Sequence, residues 1–337
     1  MTALISSDTG PDMLRFWICV ALVLLAGCGG GTQPTPIPGA PQITCTADVV
    51  VRGITGDSQP VTFSAPVATG GSLPVSVTCT PLSGAAFPLG TTPVNCTARD
   101  ATAREARCSF NVSVSGLQLT VTKFDAVGDS FTAGENGRPA FIDLPNAYPT
   151  RLQAAFDARY PGQGITVINR GNNGDKVQTT LQKLPGFLAT DHPGAVVLLT
   201  GYNDLGICGP GQANTPACDS AITDVEFGVR DCIRRTKESP VGVKYVFVST
   251  LTPPGPLGPR RIALEAIVRA NTRIRRQVSA EGAILVDTYP LFAGHETEYV
   301  DTDGLHLRPA GYQALADSFF AVIRATIPEN AQLAQRQ

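Results

Sequence analysis

From Leu117 onward, short apolar runs alternate with helix-length amphipathic segments, and this alternation restricts the fold more than any other feature of the chain. Lys123–Val127, Ile165–Asn169, Ala195–Thr200, Val243–Ser249 and Ala283–Asp287 read as strands. Ala147–Arg159, a weaker segment near Gln178–Leu188, Ala221–Lys237 and Arg260–Ser279 read as the helices between them, with Ala310–Ile327 after the last strand. In the fourth helix, Ala263, Ile267, Ala270, Ile274 and Val278 make one apolar stripe. Arg260, Arg261, Arg269, Arg273, Arg275 and Arg276 mostly fall off that stripe and read as a solvated face, not a binding patch. Continuously apolar strands spaced by helices imply a parallel sheet covered on both faces. Such sheets form sites at the carboxyl ends of strands, where strand order reverses. In the order 2-1-3-4-5 the first three loops are neighbours, and strand 5 lies roughly 14 Å from strand 1 at ~4.8 Å per strand. The segment from Thr288 to Asp303 is long enough to cover that span.

The polar clusters fall at those carboxyl ends. Gly128-Asp129-Ser130 follows the first strand, Asn169-Arg170-Gly171-Asn172-Asn173-Gly174-Asp175 the second, and Gly201-Tyr202-Asn203-Asp204 the third. Asp303-Gly304-Leu305-His306-Leu307-Arg308-Pro309 precedes the last helix. A serine where a buried strand turns toward a helix has its hydroxyl at the sheet edge. To act as a nucleophile, Ser130 needs a base, an orienting carboxylate and donors for an oxyanion. The chain has three histidines. His192 sits in a polar turn ahead of a strand, at the wrong end of the sheet, and His295 in a loop is a weaker alternative. His306 has Asp303 three residues earlier, a spacing that brings a carboxylate to one ring nitrogen and leaves the other free. The Ser130 amide, the unobstructed Gly174 amide and the Asn203 side chain can serve as donors. Each piece alone is most often a turn or a cap; their order along the chain is what gives them weight. Asp129 and Asp204 read as capping groups. Three dispersed histidines and paired cysteines do not make a hydrolytic metal site.

Pro41–Ser115 has a different pattern. Thr44–Val51, Val61–Phe63, Val75–Thr80, Val94–Ala98 and Cys108–Val114 alternate or are β-branched, between Gly, Pro, Ser and Asp, as in a β-sandwich. A unit of about 75 residues buries only a modest core, so disulfides would help it. Cys45, Cys79, Cys96 and Cys108 allow three pairings, which spacing cannot separate. Nine cysteines, clustered in this way, indicate an oxidising compartment. A net charge of −2 without a basic tract argues against nucleic acid as a partner. Phe16–Gly27 is apolar, too short to span a bilayer, preceded by Arg15 and followed by Cys28; Gly29–Ala40 is a Gly/Pro-rich tether. Cys208 and Cys218 flank a Gly-Pro-rich insertion and are expected to pair at the pocket rim. Cys232 reads as a buried free thiol, with a Cys218–Cys232 pair as the alternative. Thr250–Gly258 is expected to line the acyl or alcohol side of the pocket.

Taken together, Gly128-Asp129-Ser130-Phe131, Asn169-x-Gly171-x-x-Gly174, Gly201-x-Asn203-Asp204 and Asp303-x-x-His306 resemble the SGNH, or GDSL, hydrolase superfamily, from Lys123 to about Ile327. The resemblance implies a flavodoxin-like three-layer α/β fold and ester hydrolysis through an acyl-enzyme, with no cofactor. It implies Ser130 as nucleophile, His306 as base, Asp303 as its orienter, and Ser130, Gly174 and Asn203 as oxyanion donors. Tyr202 stands where many members carry glycine and is expected to narrow the pocket beside Asn203. Thr132 occupies the last position of what would be Gly-x-Ser-x-Gly, which disfavours an ordinary α/β-hydrolase. In the first unit, Ile43-Thr44-Cys45, Val61 to Gly71, Val77-Thr78-Cys79, Phe87 to Thr92, Val94 to Ala98 and Cys108-Ser109-Phe110 resemble a hyalin-repeat (HYR) domain. That family is immunoglobulin-like and associated with extracellular adhesion or spacing; the resemblance implies the pairs Cys45–Cys108 and Cys79–Cys96. The leader resembles a bacterial lipoprotein signal with Cys28 as the lipidated residue. Asp8 and Asp12 depart from that pattern, and a start at Met13 would restore a short basic leader.

The expected organisation is a signal peptide (1–28), a linker (29–40), an HYR-like sandwich (41–116), an SGNH hydrolase domain (117–328) and a tail (329–337). The expected protein is exported, anchored by lipid to a membrane at the periplasm or cell surface, and cleaves a small-molecule, glycan or lipid ester. A carbohydrate O-deacetylase shares the same machinery. A rival of another class is an adhesion or glycan-binding protein with an inactive hydrolase domain. The HYR-like unit is read as a spacer, or as a protein or glycan contact module.

Overall fold

The N-terminal part is built of strands of three to six residues, apart from the last two, which run to ten and twelve. They are β1 (Gln42–Thr44), β2 (Val49–Ile54), β3 (Ser58–Pro60), β4 (Val67–Thr69), β5 (Ser76–Thr80), β6 (Ala86–Pro88), β7 (Gly90–Arg99) and β8 (Glu105–Gly116). The computed structural model describes residues 39–137 and 141–329; the expected signal segment, Cys28, nearly all of the linker and the tail beyond Glu329 lie outside the described residues. A four-stranded sheet has the order β2-β8-β7-β5, with β1-β4 and β3-β6 as separate pairs. Along β7, Val94, Cys96 and Ala98 are buried at every second position, the period of a strand with one face on the core. Val94 and Cys96 pack with Phe87, Phe110 and Val112, and Phe63 lies edge-on to Phe110.

Val61–Phe63, expected as a strand, is not one. The Ser83 hydroxyl accepts the Phe63 N–H and donates to the Phe63 carbonyl, taking the place of a neighbouring strand. Val61 instead exchanges backbone bonds with Gly84 and Ala85. Two disulfides, Cys45–Cys108 and Cys79–Cys96, cross this part; Cys79 and Cys96 are direct register partners on β5 and β7.

The remainder comprises β9 (Lys123–Gly128), α1 (Ser130–Ala133), α2 (Tyr148–Arg159), β10 (Thr166–Gly171), α3 (Val177–Asp191), β11 (Ala195–Leu199), α4 (Pro216–Lys237), β12 (Tyr245–Ser249), α5 (Leu264–Ala280), β13 (Ile284–Val286), α6 (Tyr289–Phe292), α7 (Glu296–Tyr299) and α8 (Pro309–Thr326). Five parallel strands follow the order β10-β9-β11-β12-β13, the anticipated 2-1-3-4-5. Every residue of central β11 is buried, as a strand covered on both faces requires. Helix α2 packs with α8, while α3, α4 and α5 pack in series.

Two helix starts differ from the sequence expectation. Helix α4 begins at Pro216, because Thr215 caps it by accepting the Cys218 N–H and proline suits the first turn. Helix α5 begins at Leu264, not Arg260. Gly258 and Pro259 break the pattern, and the Arg260 N–H is drawn to the Asp303 carbonyl, 2.9 Å away. The arginines of α5 keep partly exposed side chains, as expected, but they are tied into ion pairs. Arg273 and Arg276 both bind Glu226, a buried carboxylate on α4, and Arg275 binds Asp287. A buried carboxylate needs such partners, and the helical pattern of α5 alone does not reveal it.

Candidate active site

Strand β9 ends at Gly128, where a Cβ would collide with the Leu199 carbonyl and the Thr132 hydroxyl. Only glycine lets the chain turn so close to β11. Asp129 then caps α1, its carboxylate accepting the Phe131 N–H at 3.1 Å. Ser130 is thereby the first residue of α1, two past the end of the strand at the sheet edge. Gly128 is in register with Gly171 on one neighbour and Leu199 on the other, so three loops leave the sheet at the same level.

The fourth loop brings His306 to Ser130. The Ser130 hydroxyl donates to His306 Nε2 at 2.8 Å, and His306 Nδ1 donates to Asp303 Oδ2 at 2.7 Å. Asp303 Oδ1 accepts the Leu305 and His306 amides, each at 2.9 Å, which fixes the carboxylate before it meets the ring. A carboxylate on Nδ1 assigns the tautomer that leaves Nε2 as an acceptor. All three side chains are buried. Burial alone would push the Asp303 carboxyl up, but the bonds from His306 and from the two amides outweigh it and hold the group below the usual carboxylate range. The loop is braced from behind, Gly255 N–H donating to the Gly304 carbonyl as Arg260 does to Asp303.

The expected oxyanion donors lie on the adjacent loops. Gly174 has a positive φ of 78° in the turn closed by Asp175 N–H on the Asn172 carbonyl, and its face is open, with nothing within 4 Å of a Cβ position. Asn203 donates from Nδ2 to the Asp175 carbonyl at 3.0 Å, so one of its N–H groups joins the third loop to the second. Asp204 accepts the Val177 N–H at the start of α3. Burial pushes the Asp204 carboxyl up to about 6, and that of Asp129 up to about 7.

Other expectations change. Tyr202 does not narrow a pocket. It is buried, stacked on Phe131 with ring centroids 3.7 Å apart, and its hydroxyl accepts the Thr252 N–H at 2.7 Å. A large aromatic ring is better placed under the site than in solvent, and Thr252 meets its one polar atom. His192 caps α3 at the amino end of the sheet, and His295 is half-exposed beside Glu298, so neither meets Ser130. Cys208 bonds Cys218, and burial pushes the free Cys232 thiol up to about 12. Of Thr250–Gly258, residues Pro254, Gly255 and Pro256 line a cavity of about 440 Å³ with Pro210, Arg261 and Leu264. Among the described residues no cluster of His, Cys, Asp and Glu has the makings of a metal site.

Two residues beside the triad were missed by sequence reasoning. Glu135 is almost fully buried, with Oε2 3.7 Å from His306 Nε2 and accepting Asn173 Nδ2 at 2.8 Å. Arg260 Nη1 donates to Glu135 Oε1 at 2.6 Å and lies 3.3 Å from His306 Nδ1. Pro259 was the available signal that Arg260 precedes the helix and is free to turn elsewhere.

Residues 126–314 match the model of a family described as GDSL-like lipase/acylhydrolase, and residues 39–114 match that of the HYR domain. Similar solved structures include a lipase/acylhydrolase from Enterococcus faecalis, 19% identical with a TM-score of 0.49, covering 61% of this chain and 97% of that one. An alpha/beta hydrolase enzyme from the metagenome of Lake Arreo is 24% identical with a TM-score of 0.47, covering 60% and 94%. An acetylxylan esterase from Geobacillus stearothermophilus is 22% identical with a TM-score of 0.48, covering 60% and 94%. A search among curated proteins finds no match.

Proposed function

The chain belongs to the GDSL-like lipase/acylhydrolase family, and from that premise we propose that it is an exported serine hydrolase of carboxylic esters. The observation that carries this reading is the continuous chain of bonds Ser130 Oγ–His306 Nε2 and His306 Nδ1–Asp303 Oδ2. Ser130 Oγ attacks the acyl carbonyl while its proton passes to His306 Nε2. The ionised Asp303 holds the ring and stabilises the imidazolium. The tetrahedral oxyanion is met by the Ser130 and Gly174 amides and the Asn203 side chain, each such donor being worth on the order of 10²–10³ in rate. Collapse returns the proton to the departing alcohol, and water repeats the sequence on the acyl-enzyme with His306 as base.

Replacement of Ser130 by Ala is expected to abolish hydrolysis of p-nitrophenyl acetate above the uncatalysed rate; equal rates for parent and variant would sink the reading and leave the adhesion alternative. A carbohydrate O-deacetylase is the second reading. It is favoured by the polar side chains in two depressions flanking the loop after β10, Asn169, Asn172 and Asn173 beside Ile142 and Leu144 in one, Lys176, Gln178 and Asn203 in the other. Rates on acyl esters from acetyl to palmitoyl, run beside acetylated xylan, separate the two.

The HYR match and the disulfides support an extracellular or surface location. Among the described residues no helix is long and apolar enough to cross a membrane. We assign attachment to a lipid on Cys28, and a Cys28→Ala chain is expected in the soluble fraction. Residues 41–116 then act as a spacer or contact module carrying the hydrolase unit, residues 117–328.

A further inference from the structure

We infer that Glu135 and Arg260 are a pair of positioning residues that set, by opposed charges, the protonation equilibrium of His306. The inference rests on the reading of His306 as the base acting on Ser130.

Glu135 is 3% exposed, and a carboxylate is costly to bury unless it is paired. Its pairing is unusual in being spread over the catalytic loops. Oε1 takes Arg260 Nη1; Oε2 takes Asn173, the neighbour of Gly174, and faces His306 Nε2 at 3.7 Å. The backbone of Glu135 is tied down as well, its N–H on the Ser130 carbonyl and its carbonyl accepting the Tyr312 hydroxyl. Arg260, from the loop ahead of α5, lies over the other ring nitrogen, 3.3 Å from Nδ1 and 3.7 Å from Asp303 Oδ2.

When Ser130 passes its proton to Nε2, positive charge appears between these two groups. The Glu135 carboxylate favours it and the Arg260 guanidinium opposes it. At such separations a single full charge is worth a measurable shift even in a high-dielectric setting. The other ionisable groups around the ring are Asp303 from its own loop, Ser130 and the buried Asp129 from the β9–α1 turn, and Tyr312 from α8. Tyr312 is held neutral, burial raising its hydroxyl well above the usual range. Glu135 and Arg260 are thus the two charged side chains outside the triad that lie within 4 Å of the ring nitrogens among the described residues.

The test is the full-length protein with Glu135→Gln, Arg260→Gln and both together. It reads the acid limb of kcat/KM and, separately, the ring-proton NMR titration of His306, assigned against its two fellow histidines. Glu135→Gln keeps the Asn173 bond but removes the negative charge, so both readouts move to lower pH by about half a pH unit or more. Arg260→Gln moves them to higher pH, and the double variant returns toward the parent. A bond that only braced the fold would lower kcat and leave the limb in place. No shift, a shift in one variant alone, or shifts of the same sign overturn the inference. Should Glu135→Gln fail to fold, half-exposed Arg260 carries the test alone, an upward shift supporting the pair and none overturning it. The NMR titration needs no turnover, so failure of the esterase reading is distinguishable by an unchanged rate in Ser130→Ala.

Discussion

The two sheets of this protein reach stability by different means. In the β1–β8 part, strands alternate, faces stay wet, and a small apolar cluster around Phe87, Val94 and Val112 is crossed by two disulfides. In the β9–β13 part, a strand such as β11 is apolar throughout and helices cover both faces. The first part holds by covalent restriction of its unfolded chain, the second by burial. Both parts bury carboxylates: the first holds Asp100 against Arg104, and the second places Glu135, Asp129 and Asp303 at the site.

The sharpest break between the parts is catalytic. Ser130→Ala is expected to reduce ester hydrolysis by at least about 10³-fold, measured on p-nitrophenyl acetate, while thermal unfolding hardly changes. The next effect belongs to the sandwich alone. Cys45 and Cys108 close a separation of 63 residues, worth about 4 kcal/mol in the chain-entropy account. A Cys45→Ser, Cys108→Ser chain is expected to lose that much in denaturant unfolding of β1–β8, and retained hydrogen-exchange protection in β11 would show that the loss stays local.

A buried carboxyl sharpens the contrast further. Asp125, inside β9, has no hydrogen-bond partner for either oxygen, and burial, reinforced by nearby Asp191, pushes its carboxyl up to about 7. The folded state then holds a proton that the unfolded chain releases near pH 4, so stability falls as pH rises from about 4 to about 7. Asp125→Asn is expected to remove that slope, with a gain of at most about 4 kcal/mol at neutral pH. Urea midpoints at pH 4 and pH 7.5 check it; an equal change at both would refute it. The smallest effect is at a helix end: Thr215→Ala is expected to cost about 1 kcal/mol through loss of the α4 cap, without altering activity.

Much of the hydrolase part was readable in advance. The five apolar runs became strands in the expected order because continuous apolarity has few other uses at strand length, and the loops bearing Ser130, Gly174, Asn203 and His306 followed from that order. The sandwich was less legible. Val61–Phe63 has a strand's composition, but the Ser83 hydroxyl, twenty residues away, occupies its ladder. Arg260 was hidden by the helical pattern of α5, and Glu135 by its place in a turn just past Gly134.

The sequence by itself determined the periods, the breakers and the chain order of the polar loops, because these depend on near neighbours and on which faces must be dry. Only the tertiary structure decided which charges meet. Glu135 and Arg260 are 125 residues apart and share a bond across His306, and Tyr202 lies under Phe131 instead of in the cleft. Burial strengthens such encounters by removing water, and no local pattern records which distant partner will be there when the water is gone.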